Sequence, residues 1–479
     1  MRNYIIKKNG MPFQQQIRNF TLWQELKNAI KGTDADYTKI SIKRAIFLLA
    51  IPMILELIME STFAVVDIYF IGTLGASAVA TVGLTETYLF LLYSVAMGLS
   101  MAVTAIIARR TGEKDKEKSG KSAVQAIFLA LLVSIPFAIG GIFYSKELLS
   151  LMGADAWAIE HGYKYTQWML GSNVVIVLLF VINAIFRGAG DAAIAMKILW
   201  VANGVNIILD PILINGWGFI PAYGIEGAGI ATTIGRGVGV IGQIWVLFKG
   251  NKHIKVSLQQ IVWDTKVLMN IIRTSLGGIG QNIVSMTSWI FLMRILADIG
   301  SEAVAGSTIA LRIMMFTMMP AWGLSNAAAT LVGQNLGAGS PDRAESSVWK
   351  IGMYNMIFLG IVSVFYFIFN EELMAIFTSD LNVIKIGSEW LRILSYSFLV
   401  YGWWMVSVQA FNGAGDTRTP TLINIVFFWM IQIPLSYLLS IHFNWQHSGV
   451  FWGVFISETS VGLFTLWLFS RGKWKSVKV

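Results

Sequence analysis

The chain has 479 residues, 55% of them hydrophobic and only 13% charged, with a mean hydropathy of +0.63. A composition this apolar excludes a soluble globule with a wetted surface and indicates a polytopic membrane protein. The net charge of +9 does not call for a nucleic-acid partner, because the bases gather in connections, and the absence of cysteine excludes disulfides and thiolate metal sites.

Residues 1–44 lack the apolar core and small-residue cleavage site of a secretory signal. Phe13, Ile17, Phe20, Leu26 and Ile30 fall near one helical face, with Lys27 and Lys31 among the polar positions. That pattern fits a helix lying along the inner membrane surface, or a leader that only orients the chain. Apolar stretches follow at 46–71, 79–108, 122–145, 160–186, 191–215, 224–248, 271–297, 303–334, 348–369, 386–411, 417–441 and 449–470. Each is long enough to cross a hydrocarbon core of about 30 Å.

Lys and Arg crowd alternate connections: Lys39, Lys43 and Arg44; Arg109 to Lys121; Lys249 to Arg273; and Arg471 to Lys478. The positive-inside rule makes these cytoplasmic, so the span count is even and both termini lie inside a cytoplasmic (inner) membrane. The expected organisation is a cytoplasmic segment over 1–44, a first lobe over 45–250, a linker over 251–270, a second lobe over 271–470 and a tail over 471–479.

Shifting the chain by 225 residues lays its second half on its first without a gap. Gly75 and Ala78-Val79-Ala80 meet Gly300 and Ala303-Val304-Ala305, Gly98-Leu99-Ser100 meets Gly323-Leu324-Ser325, and Gly112 meets Gly337. Phe186 and Gly188-Ala189-Gly190-Asp191 meet Phe411 and Gly413-Ala414-Gly415-Asp416. The fold class is therefore all-α, with twelve transmembrane helices in two pseudo-symmetric six-helix lobes whose common cleft can open alternately to either side.

Intramembrane acids are costly unless they face protein, water or a partner. Glu56, Glu60 and Asp67 on the first span fall within a sector of about 40° at 100° per residue, so they share one face. Asp67, Asn206, Asp210 and Thr232 come to similar depth near the outer ends of the first, fifth and sixth spans. At the 225-residue offset Asp67 faces Leu292, Asn183 faces Val408, Asn206 faces Ile431 and Asp210 faces Leu435. A scaffold requirement would act on both copies, so a polar set carried by one copy points to function. The competing reading is a hydrogen-bond network that only locks the first lobe.

"VGQNLGAG" (332–339), "FRGAGD" (186–191), "NIILDPILI" (206–214) and "GIEGAGIATT" (224–233) together resemble the multidrug and toxic compound extrusion (MATE) family, over about residues 45–470. The resemblance implies secondary active export of bulky, often cationic and lipophilic compounds by alternating access, coupled to inward movement of H⁺ or Na⁺. In the DinF-like branch the acid of the first helix and the Asn and Asp of the fifth take part in coupling, and these match Asp67, Asn206 and Asp210. Asn183, Thr232, Tyr165 and Pro52 match the surrounding network and hinge. Phe63 departs from members that carry tyrosine one turn before the acid. The NorM-like branch also uses acids of the second lobe, where the seventh span offers only Gln281 and Asn282.

A carboxylate enclosed by apolar helices beside a second acid binds a proton readily. Asp67, Asn206 and Asp210, with Asn183 and Thr232 nearby, also supply hard oxygens for Na⁺, and protons are the expected driver. Pro52 removes a helical hydrogen bond and permits a hinge or a static kink. Asp191 and Asp416 follow Gly-Ala-Gly at helix starts and read as caps. Gly235 and Gly239 read as a close-packing pair, and Arg236 between them is a polar intramembrane group whose partner the sequence does not name. Met315, Met319 and Trp322, with Gln281, are candidates for an adaptable cleft wall for lipophilic cations, the competing reading of the Met and Trp stretch being a face turned to lipid or core.

Gly120-Lys121-Ser122 lacks the earlier glycine and the strand of a phosphate-binding loop, and four scattered histidines form no ligand cluster, so no enzyme and no cofactor is expected. The expected partners are small-molecule substrates and the lipid bilayer, with the chain a monomer. The rival reading is a flippase for lipid-linked sugars or peptidoglycan precursors, which would need several basic residues for a pyrophosphate; the embedded bases are few, chiefly Arg236, Arg312 and Arg392.

Overall fold

The computed structural model describes residues 22–251 and 253–477, so Phe13, Ile17 and Phe20 lie outside the described residues. Its regular structure is helical apart from one bridge between Trp217 and Ile220. The first lobe comprises α2 (Ile42–Gly72), α3 (Ala76–Gly112), α4 (Lys116–Leu151), α5 (Tyr163–Gly171) continued by α6 (Asn173–Ala189), α7 (Ala192–Asn215) and α8 (Ile225–Lys249), after a short α1 (Leu22–Lys31). The second comprises α9 (Thr265–Ile299), α10 (Ser301–Gly337), α11 (Pro341–Ala375), α12 (Leu381–Ser395) continued by α13 (Phe398–Ala414), α14 (Arg418–Asn424) continued by α15 (Ile433–Tyr437), and α16 (Gln446–Ser470).

These elements make the twelve expected crossings, with local differences. The fourth and tenth are each broken part-way along, at Ser172 and at Tyr396–Ser397, and much of the eleventh is wound as π-helix over Ile425–Gln432 and Leu438–His442. The helices start and stop where their sequences dictate. Asp115, Asp264 and Asp380 accept backbone N–H groups of α4, α9 and α12, while Gly190 and Gly415 end α6 and α13 in the left-handed region that favours glycine. α3 and α10, at 37 residues, are about 55 Å long at 1.5 Å per residue and extend well beyond the hydrocarbon core.

The duplication is physical as well as textual. α3 and α10, and α6 and α13, coincide in their bounds at the 225-residue offset, and non-helical breaks fall at the related residues Tyr144 and Phe369. The interface between lobes repeats in the same way. Gly98 meets Ile279 while Gly323 meets Ile54, and Gly112 lies against the carbonyl of Gln334 while Gly337 lies against that of Arg109. All four contacts fall in the halves of α3 and α10 nearest the basic connections, so the lobes are closest at that basic end.

The hydrophobic cores cross the lobe boundary reciprocally. Leu49 and Met53 of α2 join a core with Leu331, Val348 and Phe411 of the second lobe, while Leu268 and Ile271 of α9 join the core of the first. Each lobe thus lends the basic end of its first helix to the other.

Two chain segments seal this end. Arg343 donates to the carbonyls of Tyr37 and Ile40, and Tyr37 lies against Gly190, tying the segment before α2 to both lobes. Burial pushes the Tyr37 hydroxyl up to about 12, so it stays neutral at working pH. Arg109 donates to Ala414 of the second lobe and to Val477 of the tail, where Trp474 stacks on Phe469 at 4.9 Å. α1 rests against α2 through Arg44–Glu25 at 3.1 Å and against α7 through Lys197 and the Lys31 carbonyl.

Candidate functional site: a polar pocket in the first lobe

Small residues on α8 let it press against α7. A Cβ on Gly235 would stand 2.7 Å from the Ala202 carbonyl and 2.9 Å from the Asn206 Cβ, and one on Gly239 would meet Leu179 and Ala202. That close approach brings Thr232 into reach of α7, where Asn206 donates to the Thr232 hydroxyl at 3.1 Å and, one turn along, to Asp210 Oδ1 at 3.4 Å. All three are buried.

Asp67 on α2 approaches the same place and interacts electrostatically with Asp210 on α7, Glu86 on α3 and Arg236 on α8. Asp67 Oδ1, Asn206 Oδ1 and Asp210 Oδ2 are buried without a hydrogen-bond partner in the protein. Buried polar oxygens are normally satisfied, so three unsatisfied ones on neighbouring side chains stand out. Tyr165 on α5 is buried beside it, within electrostatic reach of Asp67, Glu86 and Asp210.

Arg236, whose partner the sequence does not name, pairs with Glu60. Its Nη2 lies 2.7 Å from Glu60 Oε1, Asn203 donates to the other Glu60 oxygen at 3.0 Å, and the guanidinium stands over the Phe63 ring at 5.3 Å.

Asn183 is placed elsewhere, on α6 in a second network nearer the basic end. It donates to Glu56 at 3.1 Å and accepts from Gln243 at 2.7 Å, and Arg187 closes on Glu56 at 3.4 Å. The geometry thus brings Asp67, Asn206, Asp210 and Thr232 together and leaves Asn183 with Glu56. Pro52 is buried inside an α2 that remains one helix from Ile42 to Gly72.

In the second lobe Met315 and Trp322 are exposed and Met319 half-buried on one face of α10, with Met318 buried at its flank. Gln281 does not belong with them. It is buried, and both ends of its amide are engaged by Asn412 and the Thr417 carbonyl at 2.9–3.3 Å, with both N–H groups of the amide already donated. The two expected caps also part company. Asp416 accepts from the Thr419 N–H at 3.1 Å, whereas Asp191 makes no cap bond and instead holds Asn251 at 2.7 Å, with His253 at 3.7 Å.

A sequence-family model described as MatE matches residues 52–212 and again 275–438, once in each lobe. The chain belongs to the MatE family. As a MatE protein it is a transport protein and not an enzyme. It is 26% identical over 437 residues to the probable multidrug resistance protein NorM of Thermotoga maritima, covering 91% of this chain and 93% of that one. It is 24% identical to the probable multidrug resistance protein YoeA of Bacillus subtilis, covering 92% and 96%. Among solved structures, a crystal structure of MATE in complex with MaL6 superposes with a TM-score of 0.85 at 25% identity, covering 93% and 99%.

Two acids of this MatE protein are not evident from the polar set read in the sequence: Glu86 on α3, which stands opposite Leu311 at the 225-residue offset, and a second in the other lobe. Glu458 on α16 is buried in the second lobe beside Ser397 and Tyr401. Its counterpart in the first copy is Thr233, so a search begun from polar positions of the first lobe that are lost in the second does not reach it. The signal available was a lone acid in the last apolar span.

Proposed function

We propose that this protein exports lipophilic, often cationic small molecules across the cytoplasmic membrane, coupled to inward movement of protons through the polar pocket of the first lobe. The observation that carries the reading is the cluster of unsatisfied oxygens on Asp67, Asn206 and Asp210, present in one lobe of a duplicated scaffold and replaced by Leu292, Ile431 and Leu435 in the other. Two relatives named for multidrug resistance support the substrate class.

In this mechanism Asp67 takes up a proton when the pocket faces outside and releases it when the lobes rock to face inside. Asp210 is the second acid of the pair, and Asn206 and Thr232 orient it. The basic end is cytoplasmic, which places both termini inside and makes the closed basic end the inner gate. The exposed face of Met315, Met319 and Trp322 on α10 supplies soft, polarizable contacts for lipophilic cations. A pyrophosphate flippase is disfavoured, because Arg187 and Arg236 are held by Glu56 and Glu60 and do not line a basic cleft.

The test is efflux from proteoliposomes with a panel of fluorescent cationic dyes, imposing a pH gradient and a Na⁺ gradient separately. Uphill efflux driven by the pH gradient is expected; efflux that follows only the Na⁺ gradient overturns proton coupling, and no uphill efflux of any dye overturns the exporter reading.

A further inference from the structure

The unsatisfied oxygens of Asp67, Asn206 and Asp210 suit a proton and Na⁺ equally well, so they do not decide which ion the pocket takes. The charge beside them does. We propose that Arg236 is the specificity-determining residue for the coupling ion: a guanidinium fixed in the first-lobe pocket that excludes Na⁺ from the oxygens of Asp67, Asn206 and Asp210. The inference rests on the reading of that pocket as the coupling site.

Arg236 is 4% exposed, and its Nη2 is held by Glu60 Oε1 at 2.7 Å. Its Nε and Nη1 are buried with no hydrogen-bond partner, as is Asp67 Oδ1. The pocket therefore holds donors without an acceptor and an acceptor without a donor. Arg236 and Asp67 lie within electrostatic reach of one another. Glu60, Phe63 and Asp67 sit at i, i+3 and i+7 of α2, on one face, and the Phe63 ring under the guanidinium fixes its place along that face.

The charged and titratable groups around Arg236 come from several helices: Glu60 and Asp67 of α2, Glu86 and Tyr93 of α3, Tyr165 of α5 and Asp210 of α7. Arginine keeps its charge throughout the working pH range, so it is a constant feature of this field. Its positive charge acts on a metal ion at the oxygens as like-charge repulsion. For unit charges several ångströms apart at an effective dielectric near 20, that repulsion weakens binding on the order of 100-fold. The same repulsion acts on a proton arriving at Asp67, but the proton forms a covalent O–H of far higher intrinsic affinity and needs no cage of ligands, so a penalty that removes Na⁺ binding leaves protonation within reach.

The duplicated lobe supports treating the group as a unit. Glu60, Phe63, Asp67, Asn203 and Arg236 stand opposite Ser285, Ser288, Leu292, Phe428 and Val461, so the arginine, its carboxylate anchor, its aromatic platform and the acid beside it are all confined to one copy.

The experiment compares Na⁺ with choline at constant ionic strength and pH, using ²²Na⁺ binding and thermal stability in detergent, and dye efflux from proteoliposomes. Wild type is expected to show no Na⁺-specific binding or stabilisation and to be driven by the pH gradient. Arg236→Gln is expected to raise Na⁺ affinity at least tenfold and to make efflux Na⁺-responsive, and adding Asp67→Asn should remove that gain. Should the single variant fail to fold because Glu60 is left buried and unpaired, the charge-neutral pair Glu60→Gln/Arg236→Gln is expected to show a smaller gain of the same sign, since it removes the Glu60 charge as well.

Absence of any Na⁺ gain in folded variants, with proton-driven efflux intact in wild type, overturns the assignment of Arg236 and leaves proton coupling standing. A Na⁺-specific stabilisation of wild type also overturns the assignment, and this measurement needs no variant. Wild-type efflux driven by Na⁺ alone overturns both readings.

Discussion

The two lobes share a scaffold and differ in chemistry. Their close contacts repeat residue for residue, Gly98 on Ile279 and Gly323 on Ile54, Gly112 on Gln334 and Gly337 on Arg109, because the fit between α3 and α10 constrains both copies alike. The pocket does not repeat. Where the first lobe has Asp67, Asn206 and Asp210, the second has leucine, isoleucine and leucine, and it buries a different acid, Glu458, where the first has Thr233. Symmetry thus marks the residues that hold the lobes together, and its loss marks those that do something only one lobe does. That separation can be broken or sharpened by substitution.

The largest effect is expected at Asp67. Asp67→Asn keeps hydrogen-bonding capacity but cannot gain and lose charge, so gradient-driven efflux should fall by at least about 100-fold with the protein still inserted and folded. Efflux assays on quantified protein check it, and full uphill transport by this variant would remove Asp67 from the mechanism. Next comes the pair Asn206→Ile and Asp210→Leu, which copies Ile431 and Leu435 into the first lobe. Replacing a buried polar pair together by apolar residues of similar size can be neutral or stabilising, so this variant should keep its thermal stability and lose about tenfold or more in coupled efflux. A destabilised variant with normal turnover per folded molecule would make the network structural glue.

How much of this was legible beforehand follows from the same contrast. The twelve crossings and the lobes could be read because hydrophobic length and internal repetition are properties of the chain itself. Asp67, Asn206, Asp210 and Thr232 could be read because lone polar groups in apolar spans stand out, and a built-in second copy showed which ones the scaffold does without.

Partners across long separations could not be read. Arg236 and Glu60 lie 176 residues apart and Asn183 and Glu56 lie 127 apart, and only the packing of α8 on α7 and of α6 near α2 joins them. Asn183 therefore matched the coupling network by position, while its hydrogen bonds go to Glu56 and Gln243. Gln281 likewise looked available in sequence, but the amide of Asn412 and the carbonyl of Thr417 take both of its N–H groups. The π-helical winding of Ile425–Gln432 left no trace either, since an apolar run reads alike in any helical winding.

A smaller effect, and a symmetric one, is expected at the interface glycines. A Cβ on Gly112 would fall 2.0 Å from the Gln334 carbonyl oxygen, and one on Gly337 would fall 2.1 Å from that of Arg109. Overpacking against backbone outweighs the gain of up to about 1 kcal/mol from removing a helical glycine, so Gly112→Ala and Gly337→Ala should each cost about 1–3 kcal/mol, by similar amounts. Both should also loosen the closed basic end. Because the chain has no cysteine, a single cysteine introduced near Arg109 reports this as faster labelling by a membrane-impermeant maleimide. Unequal costs would show that the two halves of the interface are not equivalent in energy.

The smallest effect separates two residues that the duplication equates. Asp191 and Asp416 occupy the same place after Gly-Ala-Gly, yet Asp416 bonds within its own helix start, to the N–H and hydroxyl of Thr419, while Asp191 reaches out to Asn251 in the connection between lobes. Asn251 in turn accepts from the N–H groups of His253 and Ile254, so Asp191 orders the start of that connection through it. Asp416→Ala should therefore behave as the loss of a cap, costing about 0.5–2 kcal/mol, measurable as a small fall in melting temperature with the connection untouched. Asp191→Ala removes no cap bond, so α7 should keep its stability while the connection opens locally, read as roughly threefold or more faster tryptic cleavage around Lys249 and Lys255. If the two variants shift melting temperature alike and leave proteolysis unchanged, position in the repeat, and not the partner each carboxylate has found, governs both.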